Sequence, residues 1–437
     1  MEQTARAENL AASGPEAAQP KSGYRFFVLA MLILVYTFNF IDRQIIGILA
    51  GPIKAELGLS DTQLGLMGGL AFALFYTALG IPIAWVADRT SRTWIMTIAL
   101  TLWSGFTALC GFAQSFWQLF LCRLGVGVGE AGGVAPSYSL IADYFPPHER
   151  ARALGVYSFG IPVGSALGIF LGGWIATTVD WRMAFIVVGL AGVAIAPLFR
   201  LTVREPKRGG LDAVPQATAD EPRPSFGEAL AILGKKPSFW ALSFGAASCS
   251  IMGYGLFFWL PSFFQRTYGM SLMDASVFFG SIVLIGGIIG IWVGAWLGDK
   301  AGPGNSGAYA RIPAIAFVLA APCYAAGVMS SWLPLTFLLF IVPQALGLTW
   351  LGPIVTAVQH LVAPNMRTTA SAIFLFINNL IGIGFGTLFL GALSDILNAR
   401  FGDESLRYAI LTGLVFYLVS AALFWFASRR LAQDWHR

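Results

Sequence analysis

Four ionisable residues lie inside long apolar stretches, where charge is costly: Asp42 and Arg43 in one stretch, Arg123 and Glu130 in another. A charge at the centre of a bilayer costs at least about 2.5–3.5 kcal/mol, so residues kept there face a bundle interior or a water-filled cavity and mark proton or substrate pathways. Arg123 and Glu130 are seven residues apart. Seven steps of about 100° return to nearly one helix face, about 10 Å further along the axis. Counting about 1.5 Å per residue from the expected outer helix ends puts Arg123 roughly 9 Å deep, Asp42 and Arg43 about 14–15 Å, and Glu130 about 20 Å. Each acid is then expected within reach of a base. Burial and an adjacent arginine pull a carboxylate's proton affinity in opposite directions, and opening to water alters both effects. Glu130 is therefore the first candidate for proton coupling and Asp42 the second, with Arg43 and Arg123 as charge partners or contacts for an anionic group.

The rest of the chain must position these four. Of its 437 residues 57% are hydrophobic and only 11% charged, with mean hydropathy +0.71. A soluble surface usually carries about 25% charged residues. Lipid as solvent demands helices or a closed barrel, and the alternating pattern of barrel strands is absent. Apolar runs of bilayer length instead predict an all-α polytopic membrane protein with helices at 25–52, 61–87, 94–113, 117–144, 150–176 and 182–201. Six more are predicted at 238–265, 274–298, 309–330, 334–361, 367–393 and 405–428. A polar, proline-containing stretch divides them. The expected organisation is a disordered N-terminus (1–23) with no signal peptide, a six-helix domain (24–201), a linker (202–236), a second six-helix domain (237–428) and a tail (429–437). Twenty of the 27 Lys and Arg residues fall in segments on the side of the termini and five on the other. The positive-inside rule then predicts both termini in the cytoplasm of a cell with this chain in its inner membrane. The net charge of +5 is a topology signal by this reading, not a nucleic-acid surface.

The halves repeat. Ala84-Trp85-Val86-Ala87-Asp88-Arg89 and Ala295-Trp296-Leu297-Gly298-Asp299-Lys300 match at an offset of 211. Later the offset is 217, where Pro136, Pro147, Arg150 and Ala153 meet Pro353, Pro364, Arg367 and Ala370. An even number of spans per half makes the repeats parallel, related by an axis along the membrane normal with a site between them near mid-membrane. The equivalents of Asp42, Arg43 and Glu130 are Gly253, Tyr254 and Gly347. A second half that builds the same fold without these charges argues that the fold does not need them.

Asp88-Arg89-Thr90-Ser91-Arg92 resembles the loop signature of the major facilitator superfamily between helices 2 and 3, with Ala84 and Ser91 in two glycine places. The stretch from Arg123 to Ala131 resembles that superfamily's helix-4 signature. Glycines 160, 164, 168 and 172 with Pro162 are similar to its antiporters' helix-5 signature. The resemblance implies a secondary active transporter working by alternating access. It also implies a cytoplasmic gate of Asp88, Arg89, Arg92, Asp143 and Arg152, in which Asp88 faces the N-terminus of helix 11 and an arginine reaches Asp143. A carboxylate at a helix N-terminus meets partial positive charge. More narrowly, Asn39-Phe40-Ile41-Asp42-Arg43-Gln44 with Gly129-Glu130-Ala131 resembles the Spinster branch, which implies lysophospholipid or sphingoid-phosphate-like substrates.

Tyr157, Phe257, Phe374 and Phe376 are candidates to line the cavity, as are Asn378 and Asn379, because amides buried in a membrane need partners. The leading expectation is proton-coupled export of an amphipathic lipid by a monomer, with protons and the bilayer as its other partners, no cofactor and no nucleic acid. The alternative is a proton-coupled symporter of small organic anions such as sugar acids. An enzyme is not expected, since no nucleophile–base pair or metal-ligand cluster stands out.

Overall fold

The protein is represented by a computed structural model, which describes residues 22–87, 89–208, 226–301, 305–363 and 366–435. With no water in the bilayer core, each apolar run must satisfy its own N–H and C=O groups, and the helix does so within one segment. Ten helices among the described residues are long and apolar enough to cross a membrane. One of these, Thr369–Asp434, has 66 residues, about 99 Å of helix at 1.5 Å per residue. It bends at the short 3₁₀ segment Gly402–Glu404 and makes two crossings. The segment Phe116–Tyr144, whose apolar character is diluted by Arg123, Glu130 and several glycines, is not among the ten, and with it the described residues make twelve crossings.

In the first half, span 1 is Ser22–Ile48 continued by Ala50–Leu57, and span 2 is Asp61–Gly68 with Leu70–Ala87. Span 3 is Arg92–Cys110, span 4 Phe116–Glu130 with Val134–Tyr144, span 5 Pro147–Ser158 with Gly160–Thr178, and span 6 Trp181–Thr202. In the second half, spans 7, 8 and 9 are Pro237–Tyr268, Leu272–Ala301 and Ala308–Met329. Span 10 is Leu333–Leu346 with Leu351–Gln359, span 11 Arg367–Phe401, and span 12 Ser405–Gly413 with Val415–Asp434. A short helix, Phe226–Gly234, lies within the expected linker. The starts are coded locally. Ser60, Ser91, Ser115 and Asp180 each accept a backbone N–H of the first turn that follows, which satisfies a donor the helix leaves orphaned.

Span 4 breaks at Ala131–Gly133, directly after Glu130, and span 10 breaks at Gly347–Trp350. The 217 offset superposes the two breaks, so the interruption belongs to the repeat and not to the charge. Span 4 packs unusually close. A Cβ on Gly127 would lie 2.5 Å from the Phe72 carbonyl oxygen, and one on Gly129 would lie 2.5 Å from the Trp103 nitrogen. Large apolar side chains on the outside, such as Trp117, Trp292 and Leu201, form the face that meets lipid tails.

The halves join on the side away from the termini, through spans 2 and 11, 1 and 7, and 5 and 8. Thr387 donates its hydroxyl to the Gly65 carbonyl at 2.7 Å. Toward the termini the halves diverge, and Val134–Tyr144 and Leu351–Gln359 are not packed together.

Candidate functional site

The four charges of spans 1 and 4 converge, but they pair unequally. Arg43 donates its Nε–H to Glu130 Oε2 at 2.7 Å, and the Glu130 side chain is wholly buried. The rings of Phe40, Phe72 and Tyr76 stand 5.2, 4.8 and 4.7 Å from the Arg43 guanidinium carbon, favourable cation–π geometry that holds the cation beside its partner. The expected second pair does not form. Arg123 reaches the main-chain oxygen of Asp42 at 3.4 Å, not its carboxylate. Both Asp42 oxygens and Glu130 Oε1 are buried without a hydrogen-bond partner among the described residues. Thr107 stands beside Asp42, outside hydrogen-bond geometry. Asn39, Ser104 and Trp103 add further buried polar atoms without partners. Buried polar groups are normally bonded. A cluster of carboxylate oxygens left open is a place where a proton can be taken up without displacing another donor.

Two adjoining cavities run from this cluster into the space between the halves. The smaller, of about 460 Å³, is bordered by Arg43, Arg123 and Phe72. The larger, of about 950 Å³, is bordered by Gln44 and Ile161 from the first half. Phe40, Gln44, Tyr254 and Phe257 border both. Asn378, Asn379 and Phe257 line the larger cavity. Tyr157 lies behind it, buried and stacked on Tyr36 at 4.3 Å. Phe374 and Phe376, expected at the wall, border neither cavity. Phe374 is buried against Trp350. Phe376 is 39% exposed, and two residues of helix turn it about 200° away from Asn378. The second-half wall is polar as well as aromatic. Ser250 donates to Asn378 Oδ1 at 2.8 Å, Asn378 Nδ2 donates to Asn379 Oδ1 at 3.0 Å, and Gln344 borders the same space.

At the termini-side end, the wholly buried Arg92 donates to Asp143 Oδ2 and to Ser139 Oγ and Glu205 Oε1 at 2.7 Å. Thr93 N–H and the Ser91 hydroxyl also donate to Glu205, at 3.0 and 3.1 Å. These bonds tie spans 3 and 4 to the chain leaving span 6, all within one half. Arg89 stacks on Trp85 at 3.8 Å and Arg152 is exposed. Asp88 lies outside the described residues. Glu205, which the sequence reading passed over, is one of six linker and tail acids with nothing local to set it apart.

The far side carries a second ionic group that sequence reasoning missed. Asp61 takes a forked pair from Arg266 at 2.6 and 2.7 Å, a bond from Lys54 at 2.6 Å and one from Ser394 at 2.8 Å. Asp395 of span 11 accepts Asp61 N–H and Thr62 N–H at 3.1 and 2.7 Å, capping the N-terminus of span 2. Positive partial charge at a helix start favours this carboxylate. In sequence Lys54, Asp61, Arg266 and Asp395 are separate loop-end charges, and only the hint that Asp61 opens a helix was available.

Two six-span halves, a site between them and one closed face describe a carrier, and the sequence pattern of the Major Facilitator Superfamily matches residues 32–387. The chain belongs to that superfamily. It is 35% identical to an MFS-type efflux pump of Mycolicibacterium smegmatis over 93% of each chain. It is 28% identical to Protein spinster homolog 1 of Xenopus tropicalis, over 85% of this chain and 74% of that one. A crystal structure of a bacterial homologue of the human lysosomal transporter Spinster, inward-facing and unoccupied, superposes with TM-score 0.84. Identity there is 31%, covering 96% of this chain and 100% of the other. As a superfamily member of Spinster type the protein is a membrane transporter, and the face bearing its termini is the open one.

Proposed function

We propose that this transporter exports single-chain amphipathic lipids in exchange for protons, by alternating access across an inner membrane with both termini cytoplasmic. One observation carries the reading: the buried Arg43–Glu130 pair stands at the smaller cavity, which Arg43 borders, with partnerless carboxylate oxygens behind it. Glu130 is the main protonation site and Asp42 the second. Protonating Glu130 releases Arg43 to hold an anionic headgroup, and the headgroup's departure restores the pair. The tail lies in the larger cavity along Phe257 and Trp350. In the alternate state Asp88, Arg89, Arg92, Asp143 and Arg152 close the cytoplasmic side.

A second reading has its own support. The amides of Asn378 and Asn379 on the cavity wall suit a hydroxyl-rich anion, and a symporter of sugar acids would use Arg43 and Arg123 for the carboxylate. A thermal-shift screen of the purified protein against lysophospholipids, sphingoid phosphates and sugar acids separates the two, since a ligand of the folded state raises its stability. Stabilisation by sugar acids and by no lipid overturns the lipid reading.

A further inference from the structure

The repeat relates the charged cluster to the larger cavity residue by residue. Gly253, Tyr254 and Gly347 are the second-half counterparts of Asp42, Arg43 and Glu130, and all three border that cavity. Where the first half fills its core with two acids and an arginine, the second half leaves room. The exchange also runs the other way. Under the offset of 217, Gly127, Ile161 and Pro162 of the first half correspond to Gln344, Asn378 and Asn379 of the second, all three on the cavity wall.

The hydrogen bonds on that wall have a direction. The Ser250 hydroxyl donates to the Asn378 carbonyl, and the Asn378 amino group donates to the Asn379 carbonyl. The chain ends on the Asn379 amino group, which takes part in neither bond, as does the amide nitrogen of Gln344, whose carbonyl faces the Tyr324 hydroxyl at 3.4 Å. The wall therefore offers neutral N–H donors beside a space that Gly253 keeps open: a Cβ built there meets no atom within 4 Å.

We infer that this second-half wall is a distinct subsite, which binds an uncharged oxygen-bearing part of the substrate, a hydroxyl or an ester carbonyl, while the first half handles charge. Asn379 is its donor and Gly253 sets its volume. The inference rests on reading the central cavity as the substrate site, but not on the substrate being a lipid. Two unlike walls fix the orientation of a molecule that carries an anion at one end and a neutral polar group a few bonds away. A substrate lacking the second group forfeits about one hydrogen bond, roughly a tenfold loss of affinity.

The test uses the full-length protein in nanodiscs and two 16-carbon probes, palmitoyl lysophosphatidic acid and hexadecyl phosphate, which share the anion but differ in the glycerol hydroxyl and ester. The wild type is expected to prefer the lysophosphatidic acid about tenfold. In Asn379→Leu the preference should fall to within about twofold, with hexadecyl phosphate bound as before. Gly253→Leu, whose Cβ meets no atom within 4 Å, should keep the wild-type melting temperature and bind both probes at least about tenfold more weakly. A preference that survives Asn379→Leu, an equal loss for both probes in that variant, or unchanged binding in Gly253→Leu overturns the subsite. If the wild type binds neither lipid, the lipid reading falls, and gluconate against hexanoate replaces the pair. Loss of a gluconate preference in Asn379→Leu then sustains the subsite, its persistence overturns it, and binding of none of the four probes overturns both readings.

Discussion

Arg43 and Glu130 are joined across 2.7 Å in the first half, while their counterparts Tyr254 and Gly347 border open cavity in the second. The same helix packing is thus built twice, once around an ion pair and once around space. A buried ion pair contributes little net stability over an apolar replacement of equal volume, so its presence in one half supports the coupling role proposed for it.

Glu130→Gln keeps the shape of the side chain and removes the ionisable group. Proton-driven flux in proteoliposomes should fall to background, while substrate exchange at equal pH on both sides persists. A variant that still concentrates substrate in response to a pH gradient would show that another group carries the proton.

Asp61→Asn should release the far side. Arg266 and Lys54 lose the carboxylate they share, while the bonds that Asp395 accepts from Asp61 N–H, Thr62 N–H and the Thr62 hydroxyl still join spans 2 and 11 there. The population should move toward the oppositely open state by about 1–3 kcal/mol, the usual scale of such couplings. Spin labels at the exposed far-side residues Gln114 and Asn398 should report longer distances, and an unchanged distribution would remove Asp61 from the gate.

The Arg92 cluster carries an acid dependence. Burial alone would raise the Glu205 carboxyl, but the Thr93 N–H, the Arg92 guanidinium and the Ser91 hydroxyl outweigh it and hold the group below the ordinary glutamate range. A depressed carboxyl stabilises the fold fully above its unfolded value, about 4.3, and that contribution fades as pH falls from there through the native value. The melting-temperature difference between wild type and Glu205→Gln should therefore be full at neutral pH and shrink in acid. Arg92→Ala, which removes the guanidinium from Asp143, Ser139 and Glu205 at once, should cost about 3 kcal/mol. A pH-independent Glu205→Gln difference would refute the electrostatic account.

For a lipid substrate, each methylene buried in the larger cavity contributes about 0.8 kcal/mol. Affinity across a lysophospholipid series should climb with chain length and then level off when the cavity is full. Affinity flat from the shortest chain onward would place the tail outside it.

The twelve spans were legible because a bilayer imposes one length and one secondary structure, and the central charges because they stand alone in apolar sequence. The far-side group was not legible. Asp61 and Arg266 are 205 residues apart, and each sits at a helix end, where charges are ordinary. Phe376 was misplaced by reading aromatic content without helical phase, since it lies about 200° from Asn378. Phe374 shares the Asn378 face, yet Trp350 of span 10 covers it, and no pattern within span 11 announces a neighbour. The polar second-half wall was half legible: the two asparagines were visible, but the Ser250 that orients them lies on another span.

The uneven pairing of the two halves bears on how such a protein can diversify. With the ion pair on spans 1 and 4 and the roomy wall on spans 7, 10 and 11, the proposed roles put mutations that alter what is carried on different helices from those that would stall the engine. A duplicated gene could change cargo through drift at positions 253, 344, 347, 378 and 379 and stay powered throughout. Descendants of one ancestor would then keep the same first-half signature while their second halves diverge, and the two halves of an alignment would evolve at different rates.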